Sequence, residues 1–182
     1  PGGLAILVEG FGGVTLDGGG STFVFHVRIQ PFTVDHATNV TIRNVAIDWD
    51  IPLSAEAVVE AVREDGIDLR LDDRQFPYVI EKDKLVFVGE GWKSRWWDAM
   101  EFDGATLRVV PGTGDHGCLG SGWGNYRAEE IEKGRIRLHH RFGRRPAPGN
   151  LLVLRHNERD HAGLFIVDSK EVTIENVQLP MF

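Results

Sequence analysis

Cysteine is almost missing from this sequence. Cys118 is the only one among 182 residues, which excludes an internal disulfide framework and a cysteine-based zinc cage. No stretch approaches the ~18 consecutive apolar residues of a membrane-spanning helix. Basic residues are outnumbered, with 20 Lys and Arg against 27 Asp and Glu and a formal charge of −7. An acidic chain is a poor binder of nucleic acid or of an anionic membrane surface, because phosphate recognition starts from a basic field. What is present is globular: 42% of residues are hydrophobic and 26% charged, enough to bury a core and too apolar for disorder. The length allows one domain, or one domain with a large excursion.

The strongest internal signal is a repeat. Val40-Thr41-Ile42-Arg43-Asn44-Val45-Ala46-Ile47 returns as Val172-Thr173-Ile174-Glu175-Asn176-Val177-Gln178-Leu179. Upstream, Phe32-Thr33-Val34-Asp35 matches Phe165-Ile166-Val167-Asp168, and a weaker third copy begins at Val14-Thr15-Leu16-Asp17. Val14 and Val40 are separated by one plausible coil of a parallel β-solenoid, whereas Val40 and Val172 are separated by that coil plus roughly a hundred residues. The spacing predicts stacked parallel strands with Asn or Gly at the bends, and an excursion out of one coil. Asn44 and Asn176 occupy the same turn position, where stacked amides can form a ladder. Two unrelated strands in an ordinary sandwich are the competing explanation.

The excursion reads as antiparallel β. Hairpins are expected at 57–62 with 67–71, at 78–80 with 85–88, and around Glu132-Lys133-Gly134, with further strands at 106–110 and 151–154. Ala55, Val58, Val59 and Val62 also fit a helical period, but the neighbouring hairpins favour a strand. Several short strands joined by tight turns predict a small barrel. The resulting division is 1–50 for the first coils, 51–154 for the inserted barrel and 155–182 for the resumed solenoid.

Several motifs carry little. Gly112-Thr113-Gly114-Asp115-His116-Gly117 matches a dinucleotide-binding pattern, but the residues that follow cannot start the helix that such a site needs. His139-His140 and His156 with His161 lack the spacing of a helical zinc motif, so no metal is expected. Asn39-Val40-Thr41 is a sequon inside a predicted strand. Two clusters carry more: Asp48-Trp49-Asp50, where the excursion leaves, and Arg155-His156-Asn157-Glu158-Arg159-Asp160-His161, where it returns. Acids, guanidiniums and imidazoles in alternation suit recognition of many hydroxyls, and the two clusters are expected at one seam, a common place for a ligand cleft. Trp49, Trp92, Trp96, Trp97 and Trp123 offer either core packing or platforms for sugar rings.

At these residues the sequence resembles the bacterial α-1,3-galactosidases of glycoside hydrolase family 110. The resemblance lies in 40–49, in Val88-Gly89-Glu90-Gly91-Trp92 and in Leu164-Phe165-Ile166-Val167-Asp168-Ser169. It implies an all-β chain: a right-handed parallel β-helix with an inserted antiparallel β-barrel. It further implies removal of terminal α-1,3-linked galactose from a glycan, with inversion, two carboxylates and no cofactor, in the periplasm or outside the cell. Inverting carboxylates stand roughly 6.5–9.5 Å apart. Pro1-Gly2-Gly3 shows no signal peptide and Phe182 ends on an apolar stretch, so the chain is expected to be a piece of a longer protein, inactive alone, with catalytic carboxylates wholly or partly beyond Phe182. Asp48, Asp50 and Asp160 are the carboxylates to test first, and Trp49, Arg155, His156 and Arg159 the candidate substrate contacts. Self-association through the open solenoid end is a further expectation. A non-catalytic carbohydrate-binding module and a polysaccharide lyase-like β-helix protein are the alternatives.

Overall fold

A computed structural model describes residues 3–113, 125–156 and 162–180. These residues hold fifteen strands and no helix. In chain order the strands are β1 Gly3–Glu9, β2 Gly12–Phe25, β3 Ile29–Asp35, β4 Thr38–Trp49, β5 Ser54–Val62, β6 Gly66–Arg70, β7 Tyr78–Glu81 and β8 Lys84–Gly89. They continue as β9 Trp92–Arg95, β10 Asp98–Phe102, β11 Arg127–Glu132, β12 Arg135–His139, β13 Leu151–Arg155, β14 Leu164–Val167 and β15 Lys170–Gln178. The chain forms two compact units, Pro1–Asp50 with Glu158–Phe182, and Ile51–Asn157.

The first unit holds two three-stranded sheets, β1-β3-β14 and β15-β4-β2, parallel throughout. Val40 lies between Val14 and Val172 in register, as the repeat requires. In β4 the buried residues are Val40 and Ile42, then Val45, Ile47 and Trp49. A strand that alternates strictly would turn Val45 outward. Asn44 absorbs the change of phase by adopting a left-handed φ of 54°, and Asn176 does the same at 47°. Asparagine tolerates this region better than most residues because its short amide bonds locally.

The predicted ladder is present. Asn176 Nδ2 donates to Asn44 Oδ1 at 3.0 Å, and Asn44 Nδ2 donates to Asp17 Oδ1 at 3.0 Å. In the first copy the bend is taken by Gly18-Gly19-Gly20, opposite a register shift between Asp17 and Ser21. Asp17 is the third rung. Its carboxyl is held down to about 2 by the Asn44 amide first, then by the Gly19 N–H and the Arg43 guanidinium. One alignment needs correction: Phe165 pairs with Thr33 and Val167 with Asp35, so the upstream match of Phe32 to Phe165 is one residue out. A one-residue slip exchanges the two faces of a strand, and the observed register sets Leu164 beside the buried Phe32.

The second unit is antiparallel. Six strands run in the order β10-β13-β5-β6-β12-β11, and three in the order β7-β8-β9. Ala55, Ala57 and Val59 are buried on alternate positions of β5, which settles the helix-or-strand ambiguity there. Ile67, Leu69, Leu85, Phe87, Trp96, Ile136, Leu138 and Leu152 fill the core. Tyr126 is buried with them because its hydroxyl donates to Trp96 O at 3.0 Å, satisfying the polar end. Gly66 is required where β6 meets β12: a Cβ there would lie 2.2 Å from Leu138 O.

Two expectations for this unit change. Neither sheet closes on itself among the described residues; the edge strand β11 reaches the β7–β8 turn through one bond, Ala128 N to Asp83 O at 2.8 Å. The expected strand at 106–110 is reduced to a single bridge between Phe102 and Val109. The Asp103 carboxylate accepts the N–H groups of Ala105 and Thr106 and the Thr106 hydroxyl, and Leu107 takes a left-handed φ of 54°. Local side-chain bonds of this kind compete with ladder formation. Strands β9 and β10 were not anticipated, because Trp92–Phe102 has no clean period.

Candidate functional site

Asp48, Trp49 and Asp50 end β4 in the first unit. Phe25 and Trp49 are neighbours in register, and their rings meet tilted, with centroids 6.0 Å apart. Trp49 is 8% exposed, and its indole N–H has no hydrogen-bond partner among the described residues. In this unit it is packed rather than open to solvent. Asp48 is half-buried, and its Oδ1 accepts the Trp49 N–H at 2.8 Å. Asp50 is exposed, with Oδ2 3.0 Å from His26 Nδ1.

Arg155 and His156 fall in the second unit. Arg155 closes β13, paired across the sheet with Asp98 on one side and Ser54 on the other. His156 is 1% exposed. Its imidazole lies between Phe87, at 4.4 Å between centroids, and Trp92, at 5.7 Å with the two ring planes nearly parallel. That sandwich makes His156 a core element of the antiparallel unit, and Trp92 its cover. Trp96 is a core residue at 1% exposure. Arg159, Asp160, His161 and Trp123, with the glycine-rich run from 114, lie outside the described residues.

One constellation was not anticipated. His36 Nδ1 lies 2.5 Å from Asp35 Oδ1, and its Nε2 lies 3.8 Å from Asp168 Oδ2. The corrected register creates it: Gly10, His36 and Asp168 follow the ends of β1, β3 and β14, and all three have left-handed φ, at 71°, 47° and 44°. Applying the Val40–Val172 spacing to the upstream strand would have paired His36 with Asp168 from sequence alone. The Asp35 bond raises the imidazole's affinity for a proton, with Asp168 and Glu9 adding to it. One donor atom from each of Asp35, His36 and Asp168 lies within 4.8 Å of the others, so these are the described residues best placed to share an ion. The same closeness puts the two carboxylates inside the separation an inverting hydrolase needs. As arranged they do not form such a pair.

The fold defines a class: an all-β chain in which an antiparallel unit interrupts parallel, registered repeats. Residues 55–152 match the family model described as GLAA-B beta-barrel domain I. The chain belongs to that family, the α-1,3-galactosidases of glycoside hydrolase family 110. It is 47% identical, over 97% of its length, to alpha-1,3-galactosidase B of Bacteroides thetaiotaomicron, and covers 29% of that protein. It is 32% identical, again over 97% of its length, to alpha-1,3-galactosidase A of Shewanella woodyi, covering 29% of it. Alpha-1,3-galactosidase B of Akkermansia muciniphila is 29% identical over 91% of the chain, which covers 20% of that relative. The chain thus spans less than a third of the curated relatives it matches.

Proposed function

We propose that this chain is part of a glycoside hydrolase that removes terminal α-1,3-linked galactose from glycans. The observation that carries the reading is similarity to α-1,3-galactosidases across 97% of the chain, on both sides of the insert as well as within it. The parallel sheets are read as successive coils of a right-handed β-helix, with division at 1–50, 51–154 and 155–182. Reaction with inversion calls for one carboxylic acid to protonate the leaving oxygen and one carboxylate to activate water, with room for that water between them. The carboxylates are assigned wholly or partly to coils beyond Phe182. Among those of this chain, Asp50 is the best exposed of the Asp48–Asp50 cluster, and Asp160 is its counterpart in the returning segment. Arg155 and Arg159 are proposed as hydroxyl ligands. Trp49 and His156, being buried, are proposed to position their neighbours. Action on an exported glycan implies a periplasmic or extracellular site.

Proton NMR of galactosyl-α-1,3-galactose tests the reading, with this chain and with the full-length protein as enzyme. Release of β-galactose by the full-length protein alone is expected. Release of α-galactose would overturn inversion, and line broadening without release by either would indicate a carbohydrate-binding module. Ultraviolet-absorbing unsaturated products would indicate a lyase. The exposed outer strands of the parallel sheets, carrying Phe165, Ile166 and Ile174 on one side and Leu4 and Leu7 on the other, are proposed to pair with a second copy when the chain is isolated. A monomer by sedimentation at micromolar concentration would refute this.

A further inference from the structure

The two parallel sheets differ on their outward faces. In β2, β4 and β15 the outward positions are polar: Thr15, Thr41 and Thr173 form one row across the strands, and Asp17, Arg43 and Glu175 the next. In the other sheet, Ile6, Phe32 and Leu164 form an inward row, with Phe32 meeting Phe23 of β2. The row that alternates with it is Leu7, Thr33 and Phe165. Ala5 and Pro31 stand two residues before it and Val167 two residues after. Parallel strands that are apolar on both faces belong to a sheet covered on both faces. The cover is incomplete: Thr33 is buried at the middle of its row, whereas Leu7 is 43% and Phe165 49% exposed. At the carboxyl ends of the same strands, Glu9, Asp35 and Asp168 surround the His36 imidazole and leave the rim acidic.

We infer that this outward face is an intramolecular interface. In the full-length protein it is covered by a segment of the polypeptide outside residues 1–182, which brings apolar side chains to Leu7 and Phe165 and a basic residue to the Glu9–Asp35–Asp168 rim. Burial of the Leu7–Phe165 row supplies the driving force, since apolar surface left in water forgoes it. Two observations select the occupant. The chain covers only 29% of each of two relatives that it matches over 97% of its own length, so most of such a protein is available to lie over the face. A second copy meeting the face through the same patch would add the same excess of carboxylates and no cation to balance them. The inference rests on the reading of this chain as part of a longer protein, and not on which bond that protein cleaves.

The test places a photoreactive side chain on the face of the full-length protein, as Phe165→p-benzoylphenylalanine, and identifies the cross-linked peptide by mass spectrometry after irradiation. A cross-link within one polypeptide, to a peptide outside residues 1–182, is expected. A covalent dimer, a cross-link only to peptides within 1–182, or no cross-link overturns the assignment. Hydroxyl-radical footprinting of the unsubstituted full-length protein is the second measurement and needs no variant. Leu7 and Phe165 should be protected as strongly as the buried Phe32, and equally so at every protein concentration. Reactivity near half of that in urea, as exposures of 43% and 49% predict for an open face, overturns the interface. Protection that appears only as concentration rises assigns the face to a second copy and overturns the intramolecular occupant. Failure of the full-length protein to release galactose overturns the galactosidase reading instead, and the cross-link still decides this face.

Discussion

Asp68→Asn should destabilise the antiparallel unit by about 3 kcal/mol. Asp68 is fully buried in β6, the strand between β5 and β12. Arg137 grips both of its oxygens, with Nε at 2.6 Å from Oδ1 and Nη2 at 3.1 Å from Oδ2. Arg63 donates to Oδ2 from Nη2 at 2.7 Å and from Nε at 3.1 Å. Breaking a buried ion pair costs roughly 3–5 kcal/mol when the remaining charge is stranded. Here the arginine side chains are 45% and 26% exposed and can recover water, which places the cost at the low end. For a unit of about a hundred residues melting alone, that is a fall in Tm of about 12 °C or more.

The pH dependence separates this mechanism from a packing defect. Arg137 first, and then Arg63, hold the Asp68 carboxyl far below its ordinary value against the opposing effect of burial. Its stabilisation is therefore present above the unfolded pKa of about 3.9, and is lost as pH falls through the lower folded value. The gap between wild type and Asp68→Asn in chemical denaturation should be constant from pH 5 to 8 and shrink only in strong acid. A change below ~1 kcal/mol, the worth of an exposed pair, would refute the reasoning. So would a gap that varied between pH 5 and 8.

Asn44→Ala should cost about 2 kcal/mol by urea denaturation, combining a lost amide bond with the penalty of a left-handed Cβ. Asn44→Gly should recover part of it, and equal losses for the two would count against the backbone component. His36 binds its proton more tightly in the folded state because Asp35, Asp168 and Glu9 surround it. Its contribution is then fully present below the unfolded pKa of about 6.5 and is lost as pH rises through the folded value. Stability of the first unit should fall across neutral pH in wild type and stay level there in His36→Gln; parallel profiles would dismiss the bridge.

Local pattern determined a large part of this protein. The Val-Thr-Ile-x-Asn-Val repeat was enough to specify parallel stacking in register and the amide ladder, because a stack of equal coils brings equal positions together. The hairpins at Glu64-Asp65-Gly66, Glu81-Lys82-Asp83-Lys84 and Glu132-Lys133-Gly134 were equally legible, since turn chemistry and alternation act over a few residues. Tertiary structure alone decided the rest. Trp49 and His156 have the composition of sugar contacts, yet Phe25, Phe87 and Trp92 bury them, and which residues surround an aromatic ring is a long-range fact. The bridge of His36 to Asp35 and Asp168 depended on one residue of register. Sequence period encodes which face of a strand a residue takes; only the packed chain determines what stands opposite.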